Sequence, residues 1–275
     1  MSAFDDEQLR EWAEQYEQAK KQIAPYLPAL QQALETSQAL AAALPDTWFA
    51  SAVESASKAI QFQQQIVAQM AMERQFLPIL ATHGWLISPL APADEPTHLH
   101  GLYEAGGIPA VEDYLLTGMD NDACETIVAE LTNGRPAFRK WSTTFAKALD
   151  AHARGDHELA IPIWVAAIDG ICGEELKTFQ TYSEVKKTAL RENLKAKLMP
   201  NGPVTYQAML EAWLAVLVGF AHGRCEGGPA LLDRDAIMHG RRPNVGTHKD
   251  SVQCLIALQV LQFLLTMRDR RVAST

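Results

Sequence analysis

Cysteine is scarce in this chain and scattered. Cys124, Cys172, Cys225 and Cys254 are the four. No two of them form a CxxC pair, so neither a zinc ribbon nor a disulfide framework is expected, and a reducing cytoplasm is the default setting. The alternating β-branched pattern of strands is nearly missing too. There is no GxxxxGKS or GxxxxGKT phosphate loop, no GxSxG elbow and no HExxH, so the enzyme classes built on them receive no support. The longest apolar stretches, such as residues 213–221, look too short to span a bilayer, and no membrane association is expected. The opening MSAFDDEQ is acidic rather than basic-then-apolar, so no secretory signal is expected there. A net charge of −9 over 275 residues disfavours coating nucleic acid with the whole surface, but leaves room for a local basic site.

What is present is helix after helix, and the expected fold class is all-α: a multi-helix bundle. Residues 5–23 carry Leu9, Trp12, Tyr16 and Ala19 at spacings of three and four. A second run, 29–44, stops before Pro45, and Asp46 can cap a third that heads towards Pro78. Pro89, Pro92 and Pro96 then make a long helix improbable. The expected organisation is therefore an N-terminal helical module (1–87), a proline-rich connector (88–108) and a C-terminal helical domain (109–275). Within that domain the spacing predicts helices over 109–116 and 122–131, a helical hairpin turning at Gly155–Asp156, a charged helix over 182–198 and an interior apolar helix over 206–220. The hairpin resembles a tetratricopeptide unit, but in one copy, so no solenoid is expected.

The chemistry-bearing stretch is residues 225–271. Gly227, Gly228 and Pro229 break the preceding helix, and Asp233 can cap a new one of about two turns that Gly240 and Pro243 end. Asp235 and His239 are four apart and share a face, so the carboxylate can orient the imidazole and favour its charged form. Arg234 is well round the helix from His239 and needs its long side chain, or a second subunit, to reach the same ligand. Between residues 234 and 249 stand Arg234, Arg241, Arg242 and Lys249 against Asp235 alone. Such a cluster suits a phosphodiester. The plainer alternative is a solvated loop whose arginines meet the helix's last carbonyls. A long terminal helix over 250–268 follows.

Arg234-Asp235-Ala-Ile-Met-His239, with the surrounding LDRDAIMHG and the apolar helix after it, resembles the R-x4-6-H motif of the HEPN superfamily, in particular its members from prokaryotic toxin and phage-defence systems. AHARGDHELAIPIWVAAIDGI is similar to the helix pair that precedes the motif there. The resemblance covers roughly residues 135–270. It implies a HEPN-like helical domain and a metal-independent endoribonuclease without cofactor, in which the motif helices of two subunits face one another. Arg234, Asp235 and His239 are then the catalytic residues. The RNA supplies its own 2′-hydroxyl, so a base, an acid and a cation beside the phosphate suffice. Arg241, Arg242, Lys249 and Asp169 are the candidates for substrate binding, although an exposed helix-edge carboxylate is the plainer reading of Asp169. RNA, a second copy of the chain and an antitoxin or defence-system protein are the implied partners. A non-catalytic dimerising adaptor, or the controlled partner of a nucleotidyltransferase antitoxin, is the alternative.

His98 and His100 in the connector lack a third ligand nearby and read as loop residues, so no metal is expected. His152 and His157 flank a helical turn, where polar residues are ordinary. Cys124 and Cys172 read as small core residues.

Overall fold

The computed structural model describes residues 58, 72, 74–92, 94–177, 187–198, 204–222, 237 and 246–272. The chain divides into two compact units, Met1–Ala71 and Met72–Thr275. The helices expected over 5–23 and 29–44, and most of the one heading to Pro78, lie outside the described residues.

The second unit is all-α, with no strand among the described residues. Its helices are α1 (74–82), α2 (Glu95–Gly118), α3 (Asn121–Asn133), α4 (Pro136–Arg139), α5 (Ser142–Ala153), α6 (His157–Leu176), α7 (Lys187–Leu198), α8 (Val204–His222) and α9 (His248–Val272). Residues 72–108, expected to divide between a separate module and a connector, belong to the same unit as the C-terminal helices. Phe76, Leu80 and Trp85 are buried in it. The proline-rich stretch is also not a connector throughout, because α2 begins at Glu95. Pro96 sits in its first turn, where a missing N–H costs nothing. The real break is at Gly107, which takes φ 66° and ψ −164° just ahead of Pro109 and splits α2 into two segments.

Local chemistry explains several boundaries. The Asp120 carboxylate caps α3 by accepting the Ala123 N–H at 2.9 Å, and Cys124, Ile127, Val128 and Leu131 form its buried stripe. Between α5 and α6, Gly155 takes φ 80°. Its N–H donates to His152 O and that of Asp156 to Ala151 O, which is a Schellman ending at the predicted turn. Thr247 and Asp250 cap α9 reciprocally: the Asp250 carboxylate accepts the Thr247 N–H, and the Thr247 hydroxyl accepts the Asp250 N–H.

Helix α9 is the axis of the unit, and every residue from 251 to 261 is buried. It packs against α3, α6, α7 and α8. Helix α6 runs parallel to it: Trp164 meets Ser251 near one end, and Glu175 meets Arg268 near the other. Helix α8 runs antiparallel, since Trp213 Nε1 donates to Ala257 O at 3.0 Å and the Tyr206 hydroxyl reaches Leu264 O. By length and composition His248–Arg270 is long and apolar enough to cross a membrane, contrary to the expectation that no stretch is. Interior glutamines at 253, 259 and 262 interrupt its apolar run in the sequence. Its apolar window is 72% buried among its neighbours, and a core helix passes the same length test. The glutamines are held: Gln253 donates to His83 O, Gln259 bridges Ser88 and Glu130, and Gln262 donates to Glu130 O.

Candidate functional site

Arg234, Asp235, His239, Arg241 and Arg242 lie outside the described residues. Ile237, inside the motif, is helical. The antiparallel pairing of α8 and α9 brings the C-terminal end of α8 and the head of α9 to the same end of the bundle. Residues 223–245, which carry the motif, join those two ends.

Lys249 is described, and its ammonium is ion-paired with the Glu112 carboxylate of α2. The same oxygen accepts the Trp85 Nε1–H at 3.1 Å. This pair competes with the substrate-binding role expected of Lys249; Glu112 stands 137 positions earlier, and nothing in the local spacing signals it. His83 lies close by. Burial pulls its imidazole below the ordinary value, with Glu112 opposing. Asp169 is half-buried on α6. His98 and His100 stand on α2 rather than in a loop, against Tyr114 and Phe76 respectively.

The built polar structure at this end lies where the α5–α6 turn meets the head of α9. Three imidazoles gather there from three elements. The His152 ring is 5.1 Å from His157 and 5.1 Å from His248, and the last two are 5.6 Å apart. His152 is only 4% exposed, His157 is half-buried and His248 is exposed. The Nδ1 atom of His157 is buried with no hydrogen-bond partner.

His152 sits inside a chain of hydrogen bonds that crosses four helices. Its Nδ1 is 2.8 Å from Ser251 Oγ on α9 and its Nε2 is 3.6 Å from Cys124 Sγ on α3. Trp164 of α6 donates its Nε1–H to Ser251 Oγ at 3.1 Å, and the Cys124 thiol reaches Met119 O at 3.8 Å. With the thiol donating to Met119, the chain runs in one direction. Trp164 donates to Ser251, Ser251 to His152 Nδ1, His152 Nε2–H to Cys124, and Cys124 to Met119, so every polar hydrogen finds an acceptor. Burial, then the neighbouring His248 and His157, pull His152 down to about 4, which keeps it neutral at pH 7. Burial pushes the Cys124 thiol up to about 11. Ser251 and Cys124 are fully buried. A protonated thiol and a sealed hydroxyl make poor nucleophiles, so this constellation is a polar joint rather than a catalytic triad. Cys124 and Cys172 are the small core residues expected of them, whereas the role of His152 and His157 was illegible from their spacing.

Gly246, two positions before α9, packs closely on this joint. Gly246 takes φ 149°, and a Cβ there would fall 2.8 Å from Ile161 Cδ1 and 3.1 Å from the His157 carbonyl carbon. Only glycine fits that approach. Among the described residues no three His, Cys, Asp or Glu side chains are placed to hold a metal ion. Compared with protein-family models, with curated proteins and with solved structures, the chain matches none.

Proposed function

We propose that this protein is a metal-independent endoribonuclease of the HEPN type, acting in the cytoplasm as a toxin or antiviral effector. One observation carries the reading. The segment Arg234-Asp235-Ala-Ile-Met-His239 belongs to the connection between two core helices of an all-α bundle, and the residue between its arginine and histidine that is described, Ile237, is helical. In this reading the 2′-hydroxyl attacks the adjacent phosphorus and the 5′-oxygen leaves, giving a 2′,3′-cyclic phosphate and a 5′-hydroxyl. His239 takes the proton from the 2′-hydroxyl, and His239 of a second copy delivers one to the leaving oxygen. Arg234 stabilises the charge that grows on the non-bridging oxygens, as a planar two-pronged donor does well. Asp235 orients His239. Arg241 and Arg242 hold the flanking phosphates.

The ion pair of Lys249 with Glu112 favours a second reading, a non-catalytic dimerising adaptor, because it withdraws one of the cations counted towards the RNA. One experiment separates the two. Purified protein is incubated with single-stranded RNA in EDTA, and the product ends are identified. The nuclease reading expects cyclic-phosphate ends from the wild type and none from His239→Ala, with the helical circular dichroism spectrum unchanged. Cleavage that survives His239→Ala, or a wild type that forms dimers and leaves all RNA intact, overturns it.

A further inference from the structure

We infer that the imidazoles of His152, His157 and His248 form a proton-operated latch on the head of α9: uncharged, they pack together and seat its first turn on the α5–α6 turn, and charged, they drive it off. The geometry carries this. Each ring comes from a different element, and the centroid separations of 5.1, 5.1 and 5.6 Å leave no room for a counter-ion between them. His152 also has both ring nitrogens engaged, with Ser251 and Cys124. A proton added at Nδ1 turns that nitrogen from acceptor to donor and reverses the hydroxyl of Ser251, which sits in the first turn of α9.

The groups that face the trio set the direction of the response. From α3 comes the neutral Cys124 thiol, with Asp120 acting on it. From the turn comes Asp156, and from α9 comes Asp250; both favour a charged His157, but burial and His248 outweigh them and hold it below its ordinary value. From α6 comes the uncharged indole of Trp164. The Asp250 carboxylate is already engaged by the Thr247 backbone N–H and hydroxyl. Two like charges forced within one ring's width of each other are relieved most directly by lifting the head of α9, where His248 is already exposed. The latch concerns the scaffold, and it stands whether or not residues 223–245 cleave RNA.

The test is hydrogen exchange on the full chain, in EDTA, at about pH 7.5 and about pH 5, corrected for the intrinsic pH dependence of exchange. Amides of residues 247–252 should open at least about tenfold more often at the lower pH, while those of α8 and of residues 256–266 stay protected. The double variant His157→Gln/His248→Gln should keep only the part of the acid response of 247–252 that His152 supplies, and His157→Gln alone should give a response between that and the wild type. Opening that does not depend on pH in the wild type overturns the latch. So does an acid response that is undiminished in the double variant, or one in which α8 and the whole of α9 open together with the first turn.

Discussion

The indole Nε1 of Trp164 donates to the hydroxyl of Ser251 across 3.1 Å, though 87 positions separate them. That bond fixes the register of α6 against α9, and with His152 and Cys124 it makes a polar seam through the interior. Ser251→Ala removes the acceptor of Trp164 and the partner of His152 Nδ1 together. Stranding buried groups of this kind costs about 1–3 kcal/mol. The expected outcome is a lower denaturation midpoint with an unchanged slope, followed by tryptophan fluorescence.

Stability should fall with acid through a defined window. The His152 pKa is about 4 in the folded chain against an ordinary 6.5. The folded state therefore binds fewer protons than the unfolded one between those values. Its full contribution is present above about pH 6.5 and is lost as pH falls towards about 4, for a total of about 3 kcal/mol. Urea midpoints measured across the range should drop along that window. In His152→Gln the slope should be flatter, and the difference between the two curves isolates the histidine from the carboxylates.

Glycine substitutions should split by position. Gly246→Ala places a methyl against Ile161 and the His157 backbone at a positive φ, and should destabilise by about 1–3 kcal/mol. Gly101→Ala, in the first segment of α2 with nothing within 4 Å of the new methyl, should stabilise by about 0.5–1 kcal/mol. Thermal melts of the two variants should move in opposite directions.

At the far end of α6 and α9, Glu175 accepts from Arg135 at 2.8 Å and from Arg268 at 3.2 Å, all three side chains being under 20% exposed. Asp269 completes the group with Arg135 at 2.7 Å. Glu175→Ala leaves two guanidinium groups crowded together with one carboxylate fewer, and should cost about 2–4 kcal/mol. Glu175→Gln should recover part of that loss, read by the same denaturation.

What the sequence made legible was local. Gly155–Asp156 announced the hairpin, Asp122 to Leu131 announced α3, and the apolar run around Trp213 announced α8. What escaped it has two physical origins. The prolines of 89–96 read as breakers by type alone, although Pro96 falls in a first helical turn where proline is harmless. The bond between His152 and Ser251 spans 99 positions and the pairing of Lys249 with Glu112 spans 137, and no spacing rule reaches that far. The candidate catalytic residues were readable as a pattern in the sequence, and they lie outside the described residues.

Because α9 comes last among the described helices and yet supplies the surface on which α3, α6, α7 and α8 rest, translation delivers the axle after the wheels. The earlier helices leave the ribosome before the surface that covers their oily stripes, so the bundle closes only once residues 248–265 have followed them out.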